Sequence, residues 1–169
     1  YTITYEVEDM CGNICECSFD VHVVPAEQKV GLCTISGDGE TYVSSVSIDG
    51  TEKASSNNGG YANHLEFAFP ITKQLSEISL TAGGADENQL LFWRIWVDHN
   101  QDGDFFDNGE MIFEQSAKGA ISELHDFGTE LPLTGTRMRV AVSEGSFVEA
   151  CGDYLAGEVE DFRILNKMV

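Results

Sequence analysis

A chain of 169 residues, 42% of them hydrophobic, can build one packed core, which excludes wholesale disorder. The formal charge of −20 comes from 29 acidic against 9 basic residues, and it argues against nucleic acids and anionic membrane surfaces as partners, because both would repel the chain. No apolar run reaches the length of a membrane span, so we expect no membrane insertion.

The N-terminal segment is predicted to form a β-hairpin. Thr2–Val7 and Ser18–Val23 alternate apolar and polar residues, with turn residues at Asp9–Asn13 between them. The pattern Tyr-x-Val-x-Asp-x-Cys-Gly-Asn, followed by Cys-Ser-Phe-x-Val-x-Val, resembles the last two strands of the HYR (hyalin-repeat) immunoglobulin-like module. The resemblance implies that residues 1–25 end such a module. Because the chain starts at Tyr1, we expect it to be a processed or excised piece of a longer protein.

A lone hairpin is only marginally stable, so its apolar face needs cover. Phe19, Val21 and Val23 alternate on that face. The alternatives for this cover are upstream strands, the chain's own second unit or a neighbouring copy. Addition of a strand to a neighbour is a known mode of assembly. We expect the hairpin to make contacts beyond its own module.

The five cysteines lack the paired Cys-x-x-Cys spacing of a zinc site, so disulfides in an oxidising compartment are the better interpretation. An odd number leaves one cysteine free or paired outside this chain. Two of the three N-terminal cysteines are expected to pair locally, or one reaches another chain; these are Cys11, Cys15 and Cys17.

A second unit is predicted to span residues 26–169, after a linker at Pro25–Lys29. Its sequence contains short alternating or apolar runs separated by turn residues, and no amphipathic pattern long enough for a helix. Thr51–Tyr61 is polar and rich in Gly and Asn, which predicts a loop. The predicted strands are Tyr42–Ile48, His64–Phe69, Leu75–Leu80, Leu90–Val97, Met111–Phe113, a half-buried Thr136–Val142 and Gly157–Leu165. This pattern predicts an all-β fold, a β-sandwich of the jelly-roll or immunoglobulin-like type.

An acidic stretch between two predicted strands is the candidate metal site. Ca²⁺ takes six to eight oxygen ligands, and alternating carboxylates let a short loop curl around it, with Gly103 at the sharp turn. The expected ligands are Asp98, Asn100, Asp102, Asp104, Asp107 and Glu110, while alternation points His99 away from them. The spacing matches only the first half of an EF-hand loop, since Gly109 replaces the bidentate Glu. The alternative is a solvated acidic turn.

Catalytic motifs are absent from the sequence. It contains no nucleophile elbow, no His-Glu-x-x-His helix and no phosphate-binding glycine loop, so we expect no enzymatic activity. Phe92, Trp93 and Trp96 lie in a predicted strand, and strand aromatics are more often core than binding surface, which predicts burial of the two tryptophans. Phe105 and Phe106 are left open, because an exposed aromatic pair could stack on sugar rings.

Two separated motifs carry a family resemblance. Gly-Glu-Val-Glu-Asp-Phe at 157–162 and Trp-Val-Asp-x-Asn-Gln-Asp-Gly-Asp-Phe at 96–105 resemble the GEVED domain, from about Val30 to the C-terminus. The resemblance implies a β-sandwich accessory module of secreted, multidomain bacterial proteins, with no activity of its own. Acids at the signature positions Glu158, Glu160 and Asp161 either complete the cation's ligand shell or form ion pairs with Arg137 and Arg139. Cys33 and Cys151 also fit the family pattern, and we expect a disulfide between them.

The sequence thus predicts a non-catalytic, extracellular, Ca²⁺-binding β-sandwich module with an adhesive or structural role in a bacterial cell-surface or secreted assembly. Its expected partners are other subunits or domains of a larger extracellular protein. The alternative is a carbohydrate-binding accessory module of a secreted hydrolase or peptidase.

Overall fold

The computed structural model of the chain describes residues 2–8, 13–20, 35–128, 131–153 and 156–168. Strands dominate these ranges, and no helix occurs in them. The strands are β1 (Thr2–Glu8), β2 (Ile14–Asp20), β3 (Ile35–Ser36), β4 (Tyr42–Ile48), β5 (Thr51–Ala54), β6 (Tyr61–Ile71), β7 (Leu75–Gly83), β8 (Leu90–Val97), β9 (Met111–Lys118), β10 (Ile121–Asp126), β11 (Thr136–Glu144), β12 (Gly152–Asp153) and β13 (Gly157–Asn166).

Two sheets pack face to face, which confirms the predicted all-β sandwich. One sheet has the order β10-β7-β4-β5, and the other has the order β6-β13-β11-β8-β9. Strand β13 pairs antiparallel with β11 and parallel with β6, so it is a central strand. Among the described residues, no helix has the length and hydrophobicity of a membrane span.

The sandwich interior follows from alternation along the strands. Every second residue of β8 and β11 enters one apolar cluster with facing residues of β4 and β7. Trp93 is fully buried there, as predicted. The cluster's other large members include Val46, Ile48, Phe69, Ile78, Leu80, Ile95, Met138, Val140, Phe162 and Ile164.

The outer face of the five-stranded sheet is covered as well. A second apolar cluster lies on it, formed by Ile35, Trp96, Phe105, Ala141, Ala150 and Val159. Strand β11 is therefore buried on both faces, and the prediction of a half-buried strand was wrong. Its basic and apolar alternation is misleading because Arg139, on the outer face, is itself buried.

Several strand boundaries differ from the predictions. Part of the predicted loop Thr51–Tyr61 is strand β5, which pairs with β4 through Thr51 and Ile48. Strand β6 continues through Pro70, and its position at the sheet edge tolerates a residue without an N–H. Strand β10 was not predicted, since its sequence Ile-Ser-Glu-Leu-His-Asp is mostly exposed and lacks a clean alternation.

The predicted N-terminal hairpin is present as an antiparallel pair, β1 with β2. Its second strand begins at Ile14 instead of Ser18. The shared face of Phe19, Val21 and Val23 lies outside the described side chains, and the predicted linker 25–29 lies outside the described residues.

Replacing a core aromatic residue tests this architecture. Phe162→Ala leaves a cavity between the two sheets, so we expect the free energy of unfolding to fall by about 3–5 kcal/mol. The matched control is Leu124→Ala on the outer face of β10, where the side chain is 64% exposed and the expected change is within about 0.5 kcal/mol. Urea unfolding measures both. Equal losses in the two variants would contradict the assigned core.

Candidate functional site

The acidic segment is a loop held firmly at both ends. It leaves β8 and enters β9, and the Val97 N–H donates to the Glu110 carbonyl at 2.8 Å. The Asp98 N–H donates to the Arg137 carbonyl at 3.0 Å, and the Thr136 hydroxyl donates to the Asp98 carbonyl. These bonds fix the start of the loop against β11.

The alternating acids shape the loop by a local mechanism. The side chains of Asn100, Asp102 and Asp104 each accept the backbone N–H two residues further on, at 3.0, 3.1 and 3.0 Å. Such Asx turns curl the chain at each step. Gln101 and Gly103 have φ of +63° and +98°, and glycine adopts this left-handed region without steric cost.

Three carboxylates converge in this loop. One oxygen from each of Asp102, Asp104 and Asp107 lies within 4.8 Å of the others. Oxygens on opposite sides of a Ca²⁺ ion are separated by about 4.6–5.2 Å, so three oxygens this close together are near enough to contact one ion of that size. The Asn100 amide donates to Asp102 Oδ2 at 2.9 Å and to Asp107 Oδ2 at 2.5 Å. A cation at this place requires Asn100 to present its oxygen instead.

Two further predicted ligands are buried below the loop. Asp98 is 6% exposed, its Oδ2 accepts the Gly103 N–H at 3.2 Å, and its buried Oδ1 makes no hydrogen bond within the described part of the chain. Glu110 is 1% exposed and accepts the N–H groups of His99 and Asp107, at 3.1 and 3.2 Å. Burial raises the pKa of both carboxyls. Glu110 therefore closes the loop through the backbone, and neither Asp98 nor Glu110 belongs to the group of three converging carboxylates.

The signature acids lie on two opposite faces of β13. Glu158 is fully buried inside the sandwich, where its Oε1 accepts the Asn58 N–H at 2.8 Å and its Oε2 accepts the Val43 N–H at 2.9 Å. Burial raises the pKa of Glu158, and these backbone donors act in the opposite direction.

Glu160 also faces the sandwich interior. Its Oε1 accepts from the Ser55 hydroxyl and from Asn58 Nδ2 at 3.1 Å, while its buried Oε2 makes no hydrogen bond among the described residues. Burial raises the pKa of Glu160 to about 7, with a further rise from the neighbouring Glu158 charge. His64 Nε2 lies 3.4 Å from Glu160 Oε1, and burial lowers the pKa of His64, which disfavours a charged ion pair between the two.

Asp161 points to the outer face and forms a buried ion pair. Arg139 donates through Nε at 2.7 Å and through Nη2 at 2.8 Å, and the Tyr61 hydroxyl donates at 2.9 Å. Burial, together with the Asp161 charge, raises the pKa of Tyr61 to about 12. The Arg139 guanidinium lies 4.9 Å from the ring centroid of Phe105, a cation–π contact with the acidic loop.

The structure thus brings only part of the predicted set together. Asp102, Asp104 and Asp107 form the cluster, with Asn100 bonded to two of them. Asp161 adopts the ion-pair alternative with Arg139 and, at 3.5 Å, Arg137, while Glu158 and Glu160 point to the other side of β13. The sequence did not predict the residues that contact the signature acids, because they belong to no motif of their own. These residues are Ser55, Asn58, Tyr61 and His64.

The predicted Cys33–Cys151 disulfide cannot be placed, because residue 33 lies outside the described residues. Cys151 itself is a disulfide cysteine, and it packs against the outer apolar cluster. Its pairing with Cys33 stays a prediction, as does the pairing of the three N-terminal cysteines.

Comparison with known families finds a match, and it covers the acidic region. A family model described as the GEVED domain matches residues 92–165, a range that contains both the acidic loop and the signature strand β13. The match covers less than half of the chain, and residues 1–91 lie outside it. The HYR resemblance of the hairpin therefore stays a prediction. No curated protein matches the chain.

The buried ion pair can be tested by removing one partner. Arg139→Met removes the bidentate partner of the buried Asp161 carboxylate and leaves it with the more distant Arg137, at 3.5 Å, so we expect a loss of about 3 kcal/mol in the free energy of unfolding. Arg94→Met is the control, because its partners Glu114 and Glu149 are 40% and 80% exposed, so the expected loss is about 1 kcal/mol. A double variant, Arg139→Met with Asp161→Leu, should recover much of the loss in urea unfolding. Equal losses for Arg139→Met and Arg94→Met would show that the buried pair does not contribute as described.

Glu160 should make stability depend on pH. Its folded pKa of about 7 lies above its ordinary value of 4.5, so the folded state binds the proton more tightly and stability falls as pH rises between these values. Glu160→Gln removes this dependence. The unfolding free energy of the variant minus that of the native chain should therefore increase by about 3 kcal/mol from pH 4 to pH 8. The control is Glu66→Gln, an exposed residue that contacts the other ring nitrogen of His64. Parallel curves of unfolding free energy against pH for the native chain and Glu160→Gln would contradict the assignment.

Proposed function

We propose that the chain is a non-catalytic, Ca²⁺-binding β-sandwich module with an adhesive or structural role in a secreted or cell-surface bacterial assembly. The observation that carries the proposal is the convergence of Asp102, Asp104 and Asp107 within a distance that suits one ion. Three carboxylates so close together repel one another, and a divalent cation removes that repulsion.

The donor set favours calcium over other divalent metals. Every candidate ligand is an oxygen, and no histidine or cysteine belongs to the cluster among the described residues. Calcium accepts many oxygen ligands in irregular geometry, whereas magnesium prefers a near-octahedral set and keeps several waters. Asp98, with a buried unpartnered oxygen, and Asn100, after rotation of its amide, supply further oxygens.

The cation's role in this proposal is to hold the loop in one shape. Phe105, next to Asp104, belongs to the outer apolar cluster together with Trp96 and Ala141, so the loop forms part of the fold's second core. A cation that neutralises the loop stabilises this packing only in the folded state. Extracellular modules bind calcium with dissociation constants of about 10⁻⁴–10⁻³ M, which suits a compartment with millimolar calcium and a chain of net charge −20.

The adhesive or structural role rests on what the chain offers to partners. The net charge argues for partners that are neutral or basic, such as other subunits or domains of the same assembly. The hairpin β1–β2, interpreted as the end of an HYR module, would join this unit to a preceding one. The alternative is a carbohydrate-binding module. Trp93 and Trp96 are buried and cannot stack on a sugar ring, whereas Phe106 is 70% exposed and can.

Calcium should raise the melting temperature. With a dissociation constant of about 10⁻⁴–10⁻³ M, millimolar calcium stabilises by about 1 kcal/mol, or about 2–4 °C for a chain of this size. Asp102→Ala and Asp104→Ala should each abolish the difference between calcium and excess chelator in calorimetry. The matched control is Asp86→Ala, because Asp86 also accepts an N–H two residues on, from Asn88 at 2.8 Å, but lies outside the acidic loop. Identical melting of the native chain in calcium and in chelator would rule the proposal out.

A further inference from the structure

An open cleft of about 470 Å³ lies against one side of the acidic loop. One wall comes from the loop itself, through His99 and Asn108, and the opposite wall comes from Gln74 in the β6–β7 turn and from Asp126 at the end of β10. The apolar part of the lining is contributed by Ile112 and Phe127. The cleft is therefore built from segments far apart in the sequence.

The polar groups of one wall are already held in position. Gln74 Nε2 donates to Asp126 Oδ2 at 3.0 Å, and the Gly128 N–H donates to Asp126 Oδ1 at 2.7 Å. The backbone is tied as well, because the Phe127 N–H donates to the Gln74 carbonyl at 3.0 Å. Each oxygen of an ionised carboxylate has two lone pairs, so Asp126 keeps the capacity to accept further hydrogen bonds, and so does Gln74 Oε1.

The loop wall supplies a complementary amide. The exposed Asn108 side chain makes no hydrogen bond within the part of the chain that the structure describes, and it can both donate and accept. Gly109 beside it leaves the backbone accessible. Two amides, a carboxylate and an imidazole thus surround a partly apolar surface, which is the mixture that binding sites for small polar ligands contain.

The charge around the cleft selects among such ligands. Asp126 lines it, Asp107 adjoins Asn108, and the whole chain carries a net charge of −20, so phosphorylated, sulfated or uronic ligands are repelled. The lining offers hydrogen-bonding groups on both sides and apolar contacts from Ile112, and these suit a molecule with hydroxyl groups and apolar C–H faces.

We infer that this cleft binds a neutral saccharide unit. The hydroxyl groups donate to Asp126 and Gln74 Oε1 and exchange hydrogen bonds with Asn108, while C–H groups pack on Ile112. The inference rests on the proposed function in one respect: His99, Asn108 and Gly109 belong to the loop that calcium is proposed to order, so calcium would fix one wall. Such a cleft would supply the adhesive contact that the module needs.

The test is a titration followed by NMR. ¹⁵N-labelled chain in calcium is titrated with the methyl glycosides of glucose, galactose, mannose and N-acetylglucosamine. We expect at least one sugar to shift the backbone amides of residues 74, 108, 109 and 126–128, with a dissociation constant on the order of 1 mM. Asn108→Ala and Asp126→Asn should each weaken binding by about fivefold or more, because each removes a hydrogen-bonding partner or its charge. Asn88→Ala, an exposed amide outside the cleft, should leave it unchanged.

The outcomes separate this inference from the calcium proposal. The same titration is repeated in excess chelator, so sugar-dependent shifts at the cleft support the inference even where calcium has no effect on melting. Calcium-dependent melting with no sugar-dependent shifts leaves the calcium proposal standing and overturns the saccharide cleft. Shifts confined to residues outside the cleft overturn it too. A lysine side-chain analogue, Nα-acetyl-lysine methylamide, is the competing probe, and if it alone shifts the cleft residues, the site binds basic side chains instead.

Discussion

Strand β13 carries three carboxylates into positions where water does not reach them, and much of the structure around it follows from what these groups need. A buried carboxylate without hydrogen-bond donors or a counter-charge costs several kcal/mol. Successive residues of a strand point to opposite faces, so Glu158 and Glu160 enter the sandwich while Asp161 points outward. A single basic residue cannot reach both faces of β13, so the carboxylates on the two faces have different kinds of hydrogen-bonding partners.

On the inner side, uncharged donors satisfy the acids. The segment between β5 and β6 connects edge strands of the two sheets and brings Ser55 and the backbone and amide of Asn58 to the two glutamates. This connection needs glycine, since a Cβ at Gly60 would lie 2.1 Å from the Gly37 carbonyl oxygen. On the outer side, Arg139 provides a full counter-charge to Asp161, and the Phe105 ring covers the guanidinium. Burial raises the pKa of Glu160 despite its uncharged donors.

Much of the fold could be predicted from the sequence, because alternation and turn residues report directly on strands. Leu90–Val97 was predicted with its observed bounds, and Gly157–Leu165 to within one residue. Strand β10 was not predicted, because an edge strand with mostly exposed residues shows no apolar face in its sequence. The acidic cluster could be located from its spacing. The partners of the signature acids could not, because Val43 and Asn58 contribute backbone N–H groups, which leave no trace in residue identity. The cleft was missed for a similar reason, since Gln74 and Asp126 meet only through the fold.

The acidic loop and the signature strand are parts of one physical unit, connected through Arg139. This residue binds Asp161 on β13 and stacks on Phe105, which sits between the loop residues Asp104 and Phe106. Displacing the loop would uncover the ion pair, and breaking the ion pair would remove the surface on which the loop packs. Coupling of this kind requires the loop to keep its shape despite five carboxylates, and Glu110 supplies part of that rigidity through two backbone N–H groups. The carboxylates of Asp102, Asp104 and Asp107 still repel one another. A cation bound to them would hold the loop in place, and with it Phe105, and so would stabilise the Arg139–Asp161 ion pair without contacting it.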